Sequence, residues 1–183
     1  MSTIVYFSHQ GETLLEGRYQ QVSFGNTEVV AKTIAKKLDY DLIKLIPEEP
    51  YAIDYQTTLA RAKLELQDDS LPEISSVKHN FQADDEIFLG YPIWWGTLPM
   101  VIKTFLKQVD LSGKKLYPFC THEGSGFGRS LQDLGKLLPE TEIQKGLAIR
   151  GSRVTCAQCA VDNWLCQKIQ TNKLGGHENG NKR

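Results

Sequence analysis

The amino-acid sequence predicts an α/β protein: a doubly wound, five-stranded parallel sheet with helices on both faces. Three observations lead there. Short apolar runs alternate five times with longer segments whose apolar residues recur at helical spacing. The short runs are rich in β-branched and aromatic residues, as strands covered on both faces require. The 183 residues hold no linker, internal repeat or low-complexity segment between these units, so one core can serve them all.

The first strand is residues 3–7 (TIVYF). A helix follows over 26–38, with Val30, Ile34 and Leu38 on one face, Lys32, Lys36 and Lys37 outward, and Asn26 or Thr27 as N-cap. The second strand, 41–46 (DLIKLI), is stopped by Pro47 and Pro50. Residues 54–67 form a helix with Leu59, Ala62 and Leu66 on one side. The third strand, 86–91 (EIFLGY), ends at Pro92 and precedes a helix over 99–109 with Val101, Ile102, Phe105, Leu106 and Val109 as its apolar stripe. Residues 115–120 give the fourth strand, and 130–138 a helix stopped by Pro139. The fifth strand, 142–149, is interrupted at Gly146; the last helix, 158–170, turns Val161, Leu165 and Ile169 inward. One domain thus covers 1–171, and the polar residues 172–183 (NKLGGHENGNKR) are expected to be a disordered tail.

Composition excludes several classes. No stretch approaches the roughly 20 apolar residues of a membrane span, and MSTIVYFSH lacks the basic and apolar regions of a secretory signal. A cytoplasmic location is therefore expected, with Cys120, Cys156, Cys159 and Cys166 as free thiols. The Cys156-Ala-Gln-Cys159 spacing lacks the second close pair of a zinc site, so idle or buried thiols on a helix are expected. A net charge of −1 argues against a nucleic-acid backbone binder. The charge is divided unevenly: residues 1–100 carry 15 acidic and 8 basic side chains, residues 101–183 carry 7 and 13. Such a dipole can orient a charged partner.

In an open α/β sheet, ligands bind beyond the carboxyl ends of the strands. Three loops at such ends have unusual compositions. The first runs from Ser8-His9-Gln10-Gly11 through an inserted stretch to Gly25 and Asn26-Thr27. Hydroxyl, amide and glycine residues at a helix N-terminus suit a phosphate, whose charge meets free N–H groups and the positive dipole end. Neither GxxxxGK[ST] nor GxGxxG is present, which disfavours a P-loop NTPase; plain helix capping is the alternative. The second loop, Gly90-Tyr91-Pro92-Ile93-Trp94-Trp95-Gly96, places two tryptophans side by side, and both cannot enter one core, so at least one is expected against a flat ligand or a partner. The third, Thr121-His122-Glu123-Gly124-Ser125-Gly126-Phe127-Gly128, has glycines that present backbone N–H and C=O groups to a ligand's edge. Together they describe a site for a phosphate tied to a planar ring.

At these loops the sequence resembles the flavodoxin family, in particular a branch with GYPIWWG and CTHEGSG loops. The resemblance extends from the first strand to about Leu165 and includes EEPYxxDYxxxxxRAKxE at 48–65 and RGS at 150–152. It implies a sheet of order 2-1-3-4-5 and noncovalently bound FMN. Ser8, His9, Gln10, Asn26 and Thr27 would hold the phosphate. The ring would rest on Pro92, Ile93, Trp94, Trp95 and Gly96, with a carbonyl of the Trp95-Gly96 stretch accepting from the ring's N5. Thr121, His122, Glu123, Gly124, Ser125 and Gly126 would close over the pyrimidine side, His122 and Glu123 serving either the turn or a proton. The chain departs from the common form by inserting about 14 residues at 12–25, read as a small hairpin or projecting loop. Either Gly11 or Gly25 then takes the family's glycine role.

The resemblance leaves three functions open: an electron carrier between protein partners, an FMN-dependent NAD(P)H oxidoreductase acting on a quinone or nitro compound, or a non-redox phosphate-ligand or protein-interaction module. Electron-carrying flavodoxins are similar to one another in being strongly acidic, which a net charge of −1 does not match. The partner expected is a redox protein or a small electron acceptor, with the chain as monomer or homodimer and neither nucleic acid nor membrane involved.

Overall fold

A parallel strand buried on both faces must send successive side chains into two different cores, and the five apolar runs do so. The structure is a computed structural model that describes residues 2–175. The first strand, β1 (Ser2–Tyr6), leads into an antiparallel hairpin of β2 (Gly11–Leu15) and β3 (Arg18–Val22), and then into α1 (Asn26–Leu38). There follow β4 (Asp41–Lys44), α2 (Tyr55–Gln67), β5 (Glu86–Pro92), α3 (Met100–Gln108), β6 (Lys115–His122) and α4 (Ser130–Leu137). The chain ends with β7 (Glu142–Ile143), β8 (Leu147–Arg150), a 3₁₀ turn over Gly151–Cys156, and α5 (Gln158–Gly175). The sheet order is β4-β1-β5-β6-β7, all parallel, and β8 also pairs with β6. With β7 and β8 as two halves of the fifth strand, this is the predicted 2-1-3-4-5 order.

The break in the fifth strand has a physical cause at Gly146. The pairing shifts by one residue across it, from Leu116 opposite Ile143 to Phe119 opposite Leu147. A Cβ on Gly146 would lie 2.5 Å from the Phe127 ring and 2.9 Å from the Pro118 carbonyl, so only glycine lets the strand pass.

Two cores flank the sheet. On one face Ile4, Tyr6, Phe88, Tyr117 and Phe119 meet Val30, Ala31 and Ile34 of α1 and Val161, Trp164 and Leu165 of α5. On the other, Val5, Phe7, Ile87, Leu89, Tyr91 and Leu116 meet Val101, Ile102, Phe105 and Leu106 of α3 and Leu134 of α4. Gly90 allows the tight centre: a Cβ there would lie 2.2 Å from the Phe119 ring. The stripes of α1, α3 and α5 fall where periodicity places them, with Ile169 outside the residues whose side chains are described, whereas α2 buries Thr58, Ala62 and Glu65 and leaves Leu59 and Leu66 half-buried. The polar stretch from Asn172 continues α5 as far as Gly175, and residues 176–183 lie outside the described residues.

The inserted segment is a hairpin beginning at Gly11. Its two-residue turn, Glu16-Gly17, has φ of 52° and 77°, the left-handed pair that matches strand twist in a type I′ hairpin. All four cysteines are free thiols: Cys120 is buried in the sheet, where burial pushes its thiol up to about 12, and Cys156, Cys159 and Cys166 are exposed. Among the described residues, no helix is long and apolar enough to cross a membrane, and no group of three or more His, Cys, Asp or Glu could hold a metal.

One charged group is buried beside β1. Glu28, in the first turn of α1, is 5% exposed and pairs with Lys32 at 2.6 Å and Lys44 at 2.8 Å. Burial pushes its carboxyl up, but hydrogen bonds and charge from the two lysines outweigh that and hold it below its ordinary 4.5. A carboxyl lowered on folding contributes stability above its ordinary value and loses it as pH falls through the lowered one. Glu28→Gln should therefore cost about 1–2 kcal/mol at pH 7 and flatten the loss of stability below pH 4.5, as denaturant melts across pH would show. Gly90→Ala should lower the melting temperature by overpacking, at a cost of about 1–3 kcal/mol in a urea titration.

Candidate functional site

The site is built on the carboxyl ends of β1, β5 and β6, starting with how α1 is seated. Its N-cap is Gly25 (φ −67°, ψ 152°), and neither Asn26 nor Thr27 caps the helix as their residue types predict. The cap comes instead from the end of β1: the Glu28 N–H donates to Ser8 Oγ at 3.0 Å. Gly25 makes this approach possible, because a Cβ there would lie 2.0 Å from the His9 carbonyl and 2.3 Å from Ser8 Oγ. Gly25 thus takes the close-approach role between the two halves of the loop. Gly11, with φ of 118°, lets the hairpin pass Ile53, whose carbonyl would lie 2.8 Å from a Cβ. With Val29 N–H bonded to the Gly25 carbonyl, the Asn26 and Thr27 amides at the first turn have no acceptor inside the helix. Thr27 Oγ1 shares a buried 2.8 Å hydrogen bond with Thr121 Oγ1, which ties α1 to the end of β6.

The double-tryptophan loop is a tight turn. Trp94 and Thr97 exchange both backbone hydrogen bonds at 3.0 Å, with Trp95 and Gly96 between them at φ of 50° and 75°. That is the type I′ geometry, and holding a tryptophan in the left-handed region costs about 1–2 kcal/mol. The two rings consequently diverge. Trp94 is half-buried and packs edge-on against Phe7, His9 and Tyr51 at centroid distances of 5.4, 6.1 and 5.0 Å. Trp95 is 44% exposed, and its Nε1–H donates to the Leu59 carbonyl at 3.0 Å. The Gly96 carbonyl accepts the Arg129 N–H at 2.9 Å, so this oxygen already serves to bind the third loop to the second. Gly128 reinforces the join: a Cβ there would lie 2.2 Å from that same oxygen.

The third loop is braced from the fifth strand. Glu123 Oε1 accepts the Ser152 N–H at 3.0 Å, and Arg150 Nε donates to Glu123 Oε2 at 3.3 Å. Gly151 sits in a cradle where a Cβ would lie 2.5 Å from both Asn26 Nδ2 and Glu123 Oε1. His122 Nδ1 accepts the Gly124 N–H at 2.9 Å, which requires that nitrogen to be unprotonated; burial lowers the imidazole pKa in the same direction. Both side chains therefore have turn-holding partners.

These elements enclose a cleft lined by Ser8, His9, Asn26, Thr27, Pro92, Trp94 and Thr121, with a contiguous cleft reaching Ile93, His122 and Glu123. Of the predicted residues, these ten share the cleft walls. Gln10, Trp95, Gly96, Gly124, Ser125 and Gly126 do not line it. Sequence reasoning missed the other wall, made by Glu12, Thr13 and Leu14 of β2 and by Tyr55, Thr58 and Leu59 of α2. The only signal for it is the EEPYxxDY motif, which contains Tyr55. Among the described residues, two buried side-chain polar atoms lack any hydrogen-bond partner: His9 Nε2 and Ser152 Oγ. They belong to the segments that flank Asn26. Burial lowers the His9 pKa and keeps its ring neutral.

The family model described as flavodoxin matches residues 18–168. No curated protein matches the chain. Among solved structures, a protein from Bacteroides uniformis assigned as a flavoprotein is 26% identical, with a TM-score of 0.71, covering 90% of this chain and 96% of its own. One from Bacteroides eggerthii with the same assignment is 27% identical at a TM-score of 0.66, covering 88% and 97%. A flavoprotein from Lactobacillus acidophilus, solved in complex with FMN, shares the fold at 23% identity and a TM-score of 0.63, covering 84% and 95%. The sheet order, the loops at its carboxyl edge and the family match over residues 18–168 agree: this chain belongs to the flavodoxin family.

Proposed function

We propose that this chain binds FMN noncovalently and passes electrons through it to a redox partner protein or a small acceptor. The observation that carries the reading is the seat at the start of α1. Two amides without intrahelical acceptors and the positive end of a 13-residue helix lie beside a buried imidazole nitrogen with no partner. A phosphate oxygen is the acceptor such a seat lacks. A neutral His9 has one N–H to give, and Ser8 and Thr27 hydroxyls stand beside it. Glycines at 25 and 151 hold the seat together, since each lets protein segments, His9 at one and Asn26 and Glu123 at the other, approach more closely than a methyl group would allow. The family membership and the FMN held by the Lactobacillus structure support it.

The residues present therefore fit FMN. Ser8, His9, Asn26 and Thr27 would hold its phosphate, and Pro92, Ile93, Trp94 and Thr121 would lie along its ring. When bound, FMN supplies the electron-transfer chemistry. The chain's own part is to bind, orient and keep water away, and the Gly96 carbonyl is engaged with Arg129 while it does so. A second reading, an FMN-dependent oxidoreductase taking electrons from NAD(P)H, is favoured by the net charge of −1, which gives a basic reductase little to grip.

Titrating the purified protein with FMN and with riboflavin tests the reading. FMN fluorescence should quench on binding, with FMN held at least about tenfold more tightly than riboflavin because the phosphate contributes charge-assisted hydrogen bonds. Failure of the chain to bind FMN overturns it. With FMN bound, rapid oxidation of NADH or NADPH in the presence of a quinone and no added reductase would select the oxidoreductase over the carrier.

A further inference from the structure

We propose that the inserted hairpin builds part of the cofactor site: it positions Tyr55 of α2 as a second aromatic wall against the flavin ring. This rests on the FMN reading above and concerns Tyr55, which none of the three loops at the sheet edge supplies. Tyr55 lines both parts of the cleft, in company with Leu59, across elements from Pro92, Trp94 and Thr121. Among the described residues its hydroxyl has no hydrogen-bond partner, so the side chain is held by its ring and backbone alone.

Its backbone N–H and its ring both find their partners in the hairpin. Tyr55 N–H donates to Glu12 Oε2 at 3.2 Å, and the Glu12 N–H donates to the Ile53 carbonyl at 2.8 Å, fixing β2 against the start of α2. Leu14 and Tyr19 are register partners in the hairpin, so their side chains share one of its faces. Leu14 lines the cleft, and the Tyr19 ring packs on the Tyr55 ring at a centroid distance of 5.3 Å, tilted by 51°. Tyr19 is itself 54% exposed, and its hydroxyl accepts from Gln56 Nε2 at 2.8 Å. An exposed tyrosine held by both its ring and its hydroxyl against the first turn of α2 fixes the neighbouring tyrosine in place.

The chemistry is that of a flat, electron-poor ring against an aromatic face. Stacking of a planar ring on an aromatic side chain adds affinity for the ring and is indifferent to what is attached to its ribityl chain. The hairpin's contribution should therefore appear in affinity for the ring and not in affinity for the phosphate. Tyr55 is a binding residue in this scheme, and Tyr19 and Glu12 are positioning residues that act through it.

The test compares FMN and riboflavin binding by the full chain and by Tyr55→Ala, Tyr55→Phe and Tyr19→Ala, with circular dichroism and melting temperature measured on each. Tyr55→Ala should weaken both flavins by roughly tenfold, leave the FMN-to-riboflavin ratio unchanged, and recover part of the quenched flavin fluorescence. Tyr55→Phe should restore affinity and quenching to within about twofold, since the ring and not the hydroxyl is used. Tyr19→Ala, at an exposed position that folding tolerates, should shift both flavins in the same direction by a smaller factor. Unchanged affinity and quenching in Tyr55→Ala overturns the proposal, as does a loss confined to FMN. Should Tyr55→Ala fail to fold, unchanged ring affinity and quenching in Tyr19→Ala overturns it. A wild-type chain that binds neither flavin overturns the FMN reading itself, and is thereby told apart from a failure of the tyrosine wall.

Discussion

The contact between the start of α1 and the end of β1 is the constraint on which the site depends. Gly25 meets the His9 carbonyl more closely than any side chain permits, and Ser8 then caps the helix through the Glu28 amide. A cap supplied by another strand leaves the Asn26 and Thr27 side chains free for other work. Thr27 spends its hydroxyl on Thr121 at the end of β6, so α1 is registered against the sheet at two strands. The same seating buries Glu28, whose charge is tolerated because Lys32 and Lys44 close on it from α1 and β4.

From that anchor the loops hold one another mainly through backbone. The second loop is a two-residue turn that places Trp94 against the core and Trp95 on α2, and its Gly96 carbonyl receives the third loop through the Arg129 amide. The third loop is braced from below by Ser152 and Arg150 on Glu123. Backbone joins of this kind leave little rotamer freedom to lose when a ligand binds, which is the physical content of a preorganised site. They also explain the glycines at 25, 128 and 151: each marks a place where two chain segments pass within the space of a methyl group.

Much of this was legible in the chain. The five βα units are read from periodicity, and the sheet order followed once the loops were matched to a family pattern. The hairpin in the insertion was legible as well, though its I′ turn at Glu16-Gly17 lacks the Asn-Gly or Asp-Gly signature. The cap of α1 was not: Asn26 and Thr27 are strong capping residues by type, and only the approach of β1 hands that role to Ser8. Nor was the fate of the tryptophans, because adjacent positions read alike until the turn sends one inward and the other onto α2. The wall formed by β2 and Tyr55 escaped because β2 sits in the inserted stretch of the first loop, Tyr55 lies on α2, and neither carries a tryptophan that marks it.

The sequence by itself determined the elements, their two-sided burial and the chemistry available at three strand ends, because periodicity and residue type are local properties. Only the tertiary structure decided which of those groups share a cleft. It set Gln10, Trp95, Gly96 and the glycines of the third loop outside the walls and brought Tyr55, Leu59 and the hairpin inside them. The reason is that a cleft is defined by the distances between elements. Those distances are fixed by close approaches such as Gly25 to His9 and Gly128 to Gly96, which no single stretch of chain encodes.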